Sequence, residues 1–335
     1  ALCTDNLPDP LVDPRKNFKA VMYTGNGAIQ SITGLDFQPD LVWMKATGIA
    51  FVHRLCDVVR GTTKYLHSND ISPEEVRTDA LTSFNPDGFS LGPDLGSASN
   101  TLNQPYISWN FKAGGPAVPN NDGSIPSEVS VNKDMGFSVV KYTGNSTEGS
   151  TVGHGLGAVP QIIIAKNLDI STGGGESWVV SIGNVNGVVG DFMTLNTSSP
   201  INKGGGQFPV NPGNTVWTLG GAPNANANGS PNIAYCFANT EMIQAGQYTG
   251  TMNEDGPFVS LPFSPAFLMI KGDFDTLNWN MFDNYRPHQS NGDKGIAANL
   301  APVDTYPGSI DFLSNGFKVR TGGGQLNHST EFVYL

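Results

Sequence analysis

The sequence predicts an all-β protein made of three tandem β-sandwich repeats of jelly-roll type. Three observations carry that prediction. The phrases "YTGNG" from Tyr23, "YTGNS" from Tyr142 and "YTG" from Tyr248 open three stretches that share later landmarks in the same order. Each is followed by a short apolar strand bracketed by proline and lysine: Pro39 and Lys45 in "PDLVWMK", Pro160 and Lys166 in "PQIIIAK", Pro265 and Lys271 in "PAFLMIK". Each closes on an aromatic strand, "QPYISWNF", "SPNIAYCF" or "STEFVYL", and the aromatics Trp109, Tyr235 and Tyr334 lie 86, 93 and 86 residues after the opening tyrosine. Fixed order with small drift in length marks a repeated unit. The second observation is the length of the apolar runs, four or five residues bounded by turn formers, which reads as strands covered on both faces. The third is the density of chain punctuation, with 41 Gly and 23 Pro in 335 residues, which leaves little room for helices.

The elements follow in order. Residues 1–17 read as an extended leader, because Pro8, Pro10 and Pro14 hold it near polyproline geometry. The first sandwich covers 18–114. It opens on the half-buried strand "FKAVMY" and turns at "TGNG". "SPEEVRTDAL" from Ser72 is the one helix candidate, with a cap, a proline at the first helical position and acids in the first turn. "FNPDGFSLG" is a hairpin signal, with Asp-Gly between aromatic strands. "YISWNF" places Ile107, Trp109 and Phe111 on one face and Tyr106, Ser108 and Asn110 on the other. Residues 115–134 read as a Gly/Pro-rich linker to the second sandwich, 135–240. A short connection around "NTEMIQAG" leads to the third, 241–335, whose hairpin signal is "FLSNGFKVR". The third unit stops one residue beyond Tyr334, where the first two continue through Phe111 and Phe237, so its last strand reads as clipped.

Composition narrows the function. The formal charge is −11, and no run of three basic residues occurs, which argues against a nucleic-acid groove. No stretch approaches the length of apolar chain that spans a membrane, so no membrane insertion is expected. Cys3, Cys56 and Cys236 have neither disulfide nor zinc spacing and read as free thiols. The amino-terminal stretch has no signal-peptide pattern and no starting Met, which reads as the interior of a longer polypeptide or a processed end.

The phrases "ALCTDNLPDP", "FKAVMYTGNG", "SITGLDFQPDLVWMK", "DVVRGTTKYL", "SFNPDGFSLG" and "YISWNFKAGG" together resemble a repeated, laminin-G- or concanavalin-like domain of virion proteins in tailed phages of marine and other environments. The second unit, "FSVVKYTGNSTEGSTVGHGLGAVPQIIIAKN", is similar to the same pattern. The third is a weaker match without the "HGLG" segment. The resemblance implies a virion protein assembled in the host cytoplasm, part of a tail fibre, spike or decoration, in a homo-oligomer of trimeric type beside other virion proteins.

Catalytic patterns are sparse. His53, His67, His154, His288 and His328 form no HxH, HExxH or Cys/His arrangement. The glycines around His154 precede a strand rather than a helix, so they do not form a nucleotide loop. Glu74 and Glu75 sit adjacent on the helix candidate, where a solvated face is the expected place for them. Glu176 beside Trp178 is the more sugar-like pair, without a counterpart in the first unit. No Ser-His-Asp cue appears, and no opposed acid pair of a glycosidase is evident. The expectation is a non-enzymatic protein that binds through loops. Asp273, Asp275 and Asn278 with Trp279 are the candidate ligand-binding residues, through ring stacking on a host-surface glycan or calcium held by Asp273 and Asp275. Asp57 with Arg60 and Asp283 with Arg286 recur at matched places and read as structural ion pairs. A purely structural decoration or cement protein is the rival reading.

Overall fold

A computed structural model describes residues 13–96, 98–169, 176–204, 206–274, 277–286, 296–302 and 310–335. The chain is nearly all β, arranged as multiple antiparallel sheets with three one-turn α-helices among the described residues. One strand order occurs three times. Strand Phe18–Thr24 pairs with Pro105–Phe111, which pairs with Leu41–Ala46, which pairs with Arg54–Asp57. The same order joins Phe137–Thr143, Pro231–Ala238, Pro160–Asn167 and Val179–Ser181, and again Gly246–Thr249, Glu331–Tyr334, Phe267–Gly272 and Asn280–Asp283. A smaller sheet accompanies each set: Gln30–Thr33 with Gly88–Leu91 and Leu81–Asn85, Thr151–Gly153 with Val216–Thr218, and Phe258–Ser260 with Gly316–Val319 and Ile310–Leu313. Each set is thus a sandwich-like pair of sheets.

The apolar runs are buried on both faces, as their length predicts. Leu41 and Trp43 point into one core and Val42 and Met44 into another. Ile162 and Ile164 face the first of these, while Ile163 and Ala165 face a core of their own set. Met269 and its neighbours Leu268 and Ile270 divide in the same way. The period of two therefore sends alternate side chains to two destinations. One is the interior of the set, and the other is a central core to which all three sets contribute. At about 25 cal/mol per Å² of apolar surface, burying a residue such as Trp109 is worth several kcal/mol, so this common core is a major stabilising element.

The repeated "YTG" has a local cause. The tyrosine hydroxyl donates to a backbone carbonyl at the start of the closing strand's loop: Tyr23 to Ser99, Tyr142 to Ala225 and Tyr248 to Leu326, each at 2.7 Å. The next residue in each loop is a buried asparagine, Asn100, Asn226 or Asn327, whose Oδ1 accepts a backbone N–H of the turn. The turn glycine passes directly over that segment. A Cβ on Gly25, Gly144 or Gly250 would run into the carbonyl oxygen of Thr101, Ala227 or His328. The hairpins also form as expected, with two-residue loops at Pro86–Asp87 and Ser314–Asn315.

Three expectations are corrected. "SPEEVRTDAL" is not helical: Glu75–Val76 is a two-residue strand against Lys64–Tyr65, and Glu74 is drawn to Arg60 and Lys64. Tertiary ion pairing and a backbone bond from Glu74 to the Leu168 carbonyl override its helix signals. The 115–134 linker is partly strand, since Val118–Asn120 and Ser127–Asn132 extend the sheet of the second set. Tyr334 is not the counterpart of Trp109 and Tyr235. The pairs Met44–Ser108, Ala165–Ala234 and Ile270–Tyr334 align it with Ser108 and Ala234, and Leu335 takes the place of the aromatics. A one-residue slip sends the side chain to the opposite face. Of the leader, residues 13–17 are described and form a one-turn 3-10 helix, Pro14–Lys16, capped by Asp13. Residues 1–12, with Cys3, lie outside the described residues, while Cys56 and Cys236 are buried free thiols. Among the described residues no helix is long and apolar enough to cross a membrane.

Candidate functional site

The densest polar chemistry lies where the three strand sets meet. By strand register, His53, Trp178 and Trp279 occupy one position, and the carbonyls of His67, Thr194 and Ala297 occupy another. His53 Nε2 donates to Ala297 at 3.0 Å, Trp178 Nε1 to His67 at 2.8 Å, and Trp279 Nε1 to Thr194 at 2.8 Å. The bonds run from first to third, second to first, and third to second set, so they close a ring. Each of these residues has its own N–H held by an asparagine side chain, Asn69, Asn196 or Asn299, at 2.9 Å.

The tautomer of His53 follows from its partners. Trp43 Nε1 can only donate, and it donates to His53 Nδ1 at 2.9 Å, so the proton sits on Nε2 and points to the Ala297 carbonyl. Burial, with the Lys45 charge adding to it, pushes the imidazole down to about 3. His53 is therefore a neutral, fixed connector.

A second circuit, bonded at two of its three junctions, runs through the ion pairs expected from the sequence. Arg60 Nε meets Asp57 at 2.5 Å and Arg286 Nε meets Asp283 at 2.7 Å, with both carboxylates fully buried. Each carboxylate also accepts a bond from another set: Tyr235 Oη to Asp57 at 2.9 Å and Trp109 Nε1 to Asp283 at 3.1 Å. At the third junction the donor position is Leu335 and the acceptor position is Ile182, so donor and acceptor are apolar together. That match leaves no buried carboxylate without a donor.

The strand-end lysines form a third corresponding trio, each buried with its ammonium on the next residue's carbonyl. Lys45 donates to Ala46 at 2.9 Å, Lys166 to Asn167 at 3.0 Å and Lys271 to Gly272 at 2.8 Å. Lys166 also reaches Ile71 in the first set at 3.4 Å, and Lys271 reaches Ser198 in the second at 3.2 Å. Burial pulls Lys45 and Lys166 down to about 8. Solvent does not reach these groups, and Lys166 and Lys271 fasten one strand set to the next, while Lys45 bonds within its own.

The sequence-predicted ligand residues divide. Trp279 is 1% exposed and carries the ring bond to Thr194, so neither ring face is open for stacking. Asn278 is buried, accepting from Asn299 Nδ2 at 2.7 Å. Asp273 Oδ1 accepts the Ile201 N–H at 2.7 Å, another bond from the second set to the third. Asp275 lies outside the described residues, and so does His288. Trp178, the partner considered for Glu176, is the register counterpart of Trp279 and is buried likewise. His154 is buried over Trp217; its Nδ1 accepts the Leu156 N–H at 3.3 Å, its Nε2 donates to the Gly213 carbonyl at 3.1 Å, and burial lowers its pKa. Among the described residues no group of three or more His, Cys, Asp and Glu could hold a metal ion.

The loop of Asp273 does carry an aromatic surface, on residues the sequence did not single out. Phe274 is 46% exposed and lies over the His328 ring, with centroids 4.3 Å apart and planes 19° from parallel. Phe274 stands between Asp273 and Asp275 in the sequence, but nothing there links it to His328. Such a pair can offer a flat face to a planar or sugar ring.

A family profile described as "Domain of unknown function (DUF7483)" matches residues 13–335. No curated protein and no solved structure matches the chain.

Proposed function

The chain belongs to the DUF7483 family, and we propose that it is a structural protein of a phage particle, part of a tail fibre or spike that meets the host surface. In this reading the three strand sets are three copies of one laminin-G- or concanavalin-like jelly roll, 18–114, 135–240 and 241–335, disposed about a pseudo-threefold axis. The observation that carries it is the closed ring in which corresponding residues, His53, Trp178 and Trp279, bond corresponding carbonyls of the next set. A threefold body suits a fibre, whose shaft is commonly trimeric according to the resemblance drawn from "FKAVMYTGNG" and "PDLVWMK". A homotrimer of such chains and a single chain seated on a trimeric virion partner both satisfy that geometry. The ring closed within one chain favours the single chain. The exposed Phe274–His328 pair supports a glycan-facing loop end.

The rival role, a capsid decoration or cement protein, draws on a different observation: Trp178 and Trp279 both face inward and serve cohesion. Cryo-electron microscopy of an intact particle separates the two. Density for this chain at the distal end of a tail appendage supports the fibre role, and density on the capsid lattice replaces it with decoration.

A further inference from the structure

The chain returns from strand Lys64–Tyr65 to strand Glu75–Val76 through a loop whose backbone is held from both other sets. Trp178 donates to the His67 carbonyl at 2.8 Å and Lys166 to that of Ile71 at 3.4 Å, while the Glu74 N–H meets the Leu168 carbonyl at 3.1 Å. Ser68 Oγ donates to the Ala298 carbonyl at 2.6 Å. Tyr65 pairs with Glu75, so the side chain of His67, two residues on, falls on the face that carries Glu75. His67 Nε2 comes to 3.9 Å from Glu75 Oε2.

The other ring nitrogen decides what Nε2 can do. Asp70 Oδ1 accepts the Ser72 N–H at 2.9 Å, and its Oδ2 lies 3.2 Å from His67 Nδ1. A carboxylate only accepts, so the ring proton sits on Nδ1 and Nε2 presents a lone pair. The His67 side chain is 8% exposed, and Nε2 has no hydrogen-bond partner among the described residues. Glu75 is left over as well. Arg60 and Lys64 both pair with Glu74, and Lys166 directs its ammonium at carbonyls, so among the described residues Glu75 faces His67 alone. A buried lone pair and an unneutralised carboxylate, held face to face, both call for a cation that each can ligate. An imidazole fixed by a carboxylate on its far nitrogen is how metal-binding histidines are oriented. Ligands about 2.0–2.1 Å from a tetrahedral ion lie ~3.3 Å apart. The Glu75 side chain, 40% exposed, has only about half an ångström to close, and its exposure gives an ion its way in.

We propose that His67 Nε2 and Glu75 bind a divalent cation of the zinc class, with water completing its coordination. Asp70 faces the other side of the ring and is a positioning residue, not a ligand. An imidazole ligand selects zinc over calcium or magnesium. The ion would close the base of the loop that carries bonds to the second and third sets, and so brace their junction with the first. The site stands whether or not the chain belongs to a particle.

The test titrates zinc chloride into the full chain near neutral pH, by calorimetry and by NMR of nitrogen-labelled histidine rings. One site with a Kd of about 0.1 mM or tighter is expected, with the His67 ring signals moving in step, and Tm should rise by about 2 °C at ten times Kd. Calcium should bind at least about ten-fold more weakly. Glu75→Gln, a change on a half-exposed strand, should weaken zinc about ten-fold or more and remove the rise in Tm. Asp70→Ala should weaken zinc about ten-fold and let the ring proton pass to Nε2 in the metal-free spectrum; an unchanged affinity and tautomer would remove Asp70 from its positioning role. No saturation by about 1 mM zinc overturns the proposal. So does zinc binding that Glu75→Gln leaves unchanged, equal binding of calcium, or a zinc response at other histidines with His67 unmoved.

Discussion

Tyr235→Phe removes one oxygen from the interface between the second and first strand sets. The hydroxyl is buried and donates to Asp57 Oδ2 at 2.9 Å, and that carboxylate also holds Arg60. A hydrogen bond to a charged, buried partner is worth about 1.5–3 kcal/mol. How that loss appears on heating depends on whether the sets melt together. A chain that unfolds as one unit gains entropy on the order of 0.7 kcal/mol per degree, from ~2.1 cal/mol/K for each of its 335 residues, so its single transition should fall by about 2–4 °C. A set of roughly a third of that size melting alone would fall by about 7–14 °C and leave the other transitions in place. The common core and the closed ring predict the first outcome in scanning calorimetry. The cycle of Tyr235→Phe with Asp57→Asn should show coupling of about 1 kcal/mol or more. Tyr142→Phe is the control, because its hydroxyl bonds to Ala225 within its own set and should not couple to Asp57. Separate transitions, or coupling below about 0.3 kcal/mol, would refute the reasoning.

Other outcomes follow from the same geometry. His53 is held neutral to about 3 against an ordinary 6.5, so between those values only the unfolded chain takes the proton and stability falls as pH falls; near pH 5 the loss is about 2 kcal/mol, and denaturation of His53→Gln should show a flatter acid limb. Lys45 is held at about 8 against 10.5, so the folded chain sheds its proton first and stability rises across that window by up to about 3 kcal/mol, while buried Cys56 and Cys236, pushed up to about 12, work the other way above 9. The readout is therefore the stability of the parent chain relative to Lys45→Met, which should rise from pH 8 to 10. Gly144→Ala forces a Cβ onto the Ala227 carbonyl and should cost about 1–3 kcal/mol by chemical denaturation, where a cost under about 0.5 kcal/mol would show that the turn can move aside. Asp273→Ala leaves the Ile201 N–H without its acceptor and should cost about 1 kcal/mol.

What the sequence determined by itself is local. Apolar runs of four or five residues between turn formers specify strands with two buried faces, because they are too short for a buried helix and yet hide both Leu41 and Val42 from water. Glycine after Tyr-Thr specifies a turn that tolerates no Cβ, and an aspartate three residues before an arginine specifies the Asp57–Arg60 and Asp283–Arg286 pairs. Repetition of these signals marks three similar strand sets independently of any contact between them. The tertiary structure decided what those sets do to one another. Trp178 and Trp279 look like ligand platforms in sequence, since an aromatic beside an acid carries no mark of which way it faces. Only the approach of the Thr194 and His67 carbonyls turns them inward. "SPEEVRTDAL" has sound helix signals, yet partners at Arg60, Lys64 and Leu168, remote in sequence or across a set boundary, hold it extended. Tyr334 matches Trp109 and Tyr235 as an aromatic, but a slip of one residue in a strand reverses its face, and register is decided by the neighbouring strand. Local signals come from forces within a few residues. The ring of bonds joins residues 85 to 244 positions apart, and the common core gathers residues from all three sets, a meeting that no periodicity encodes.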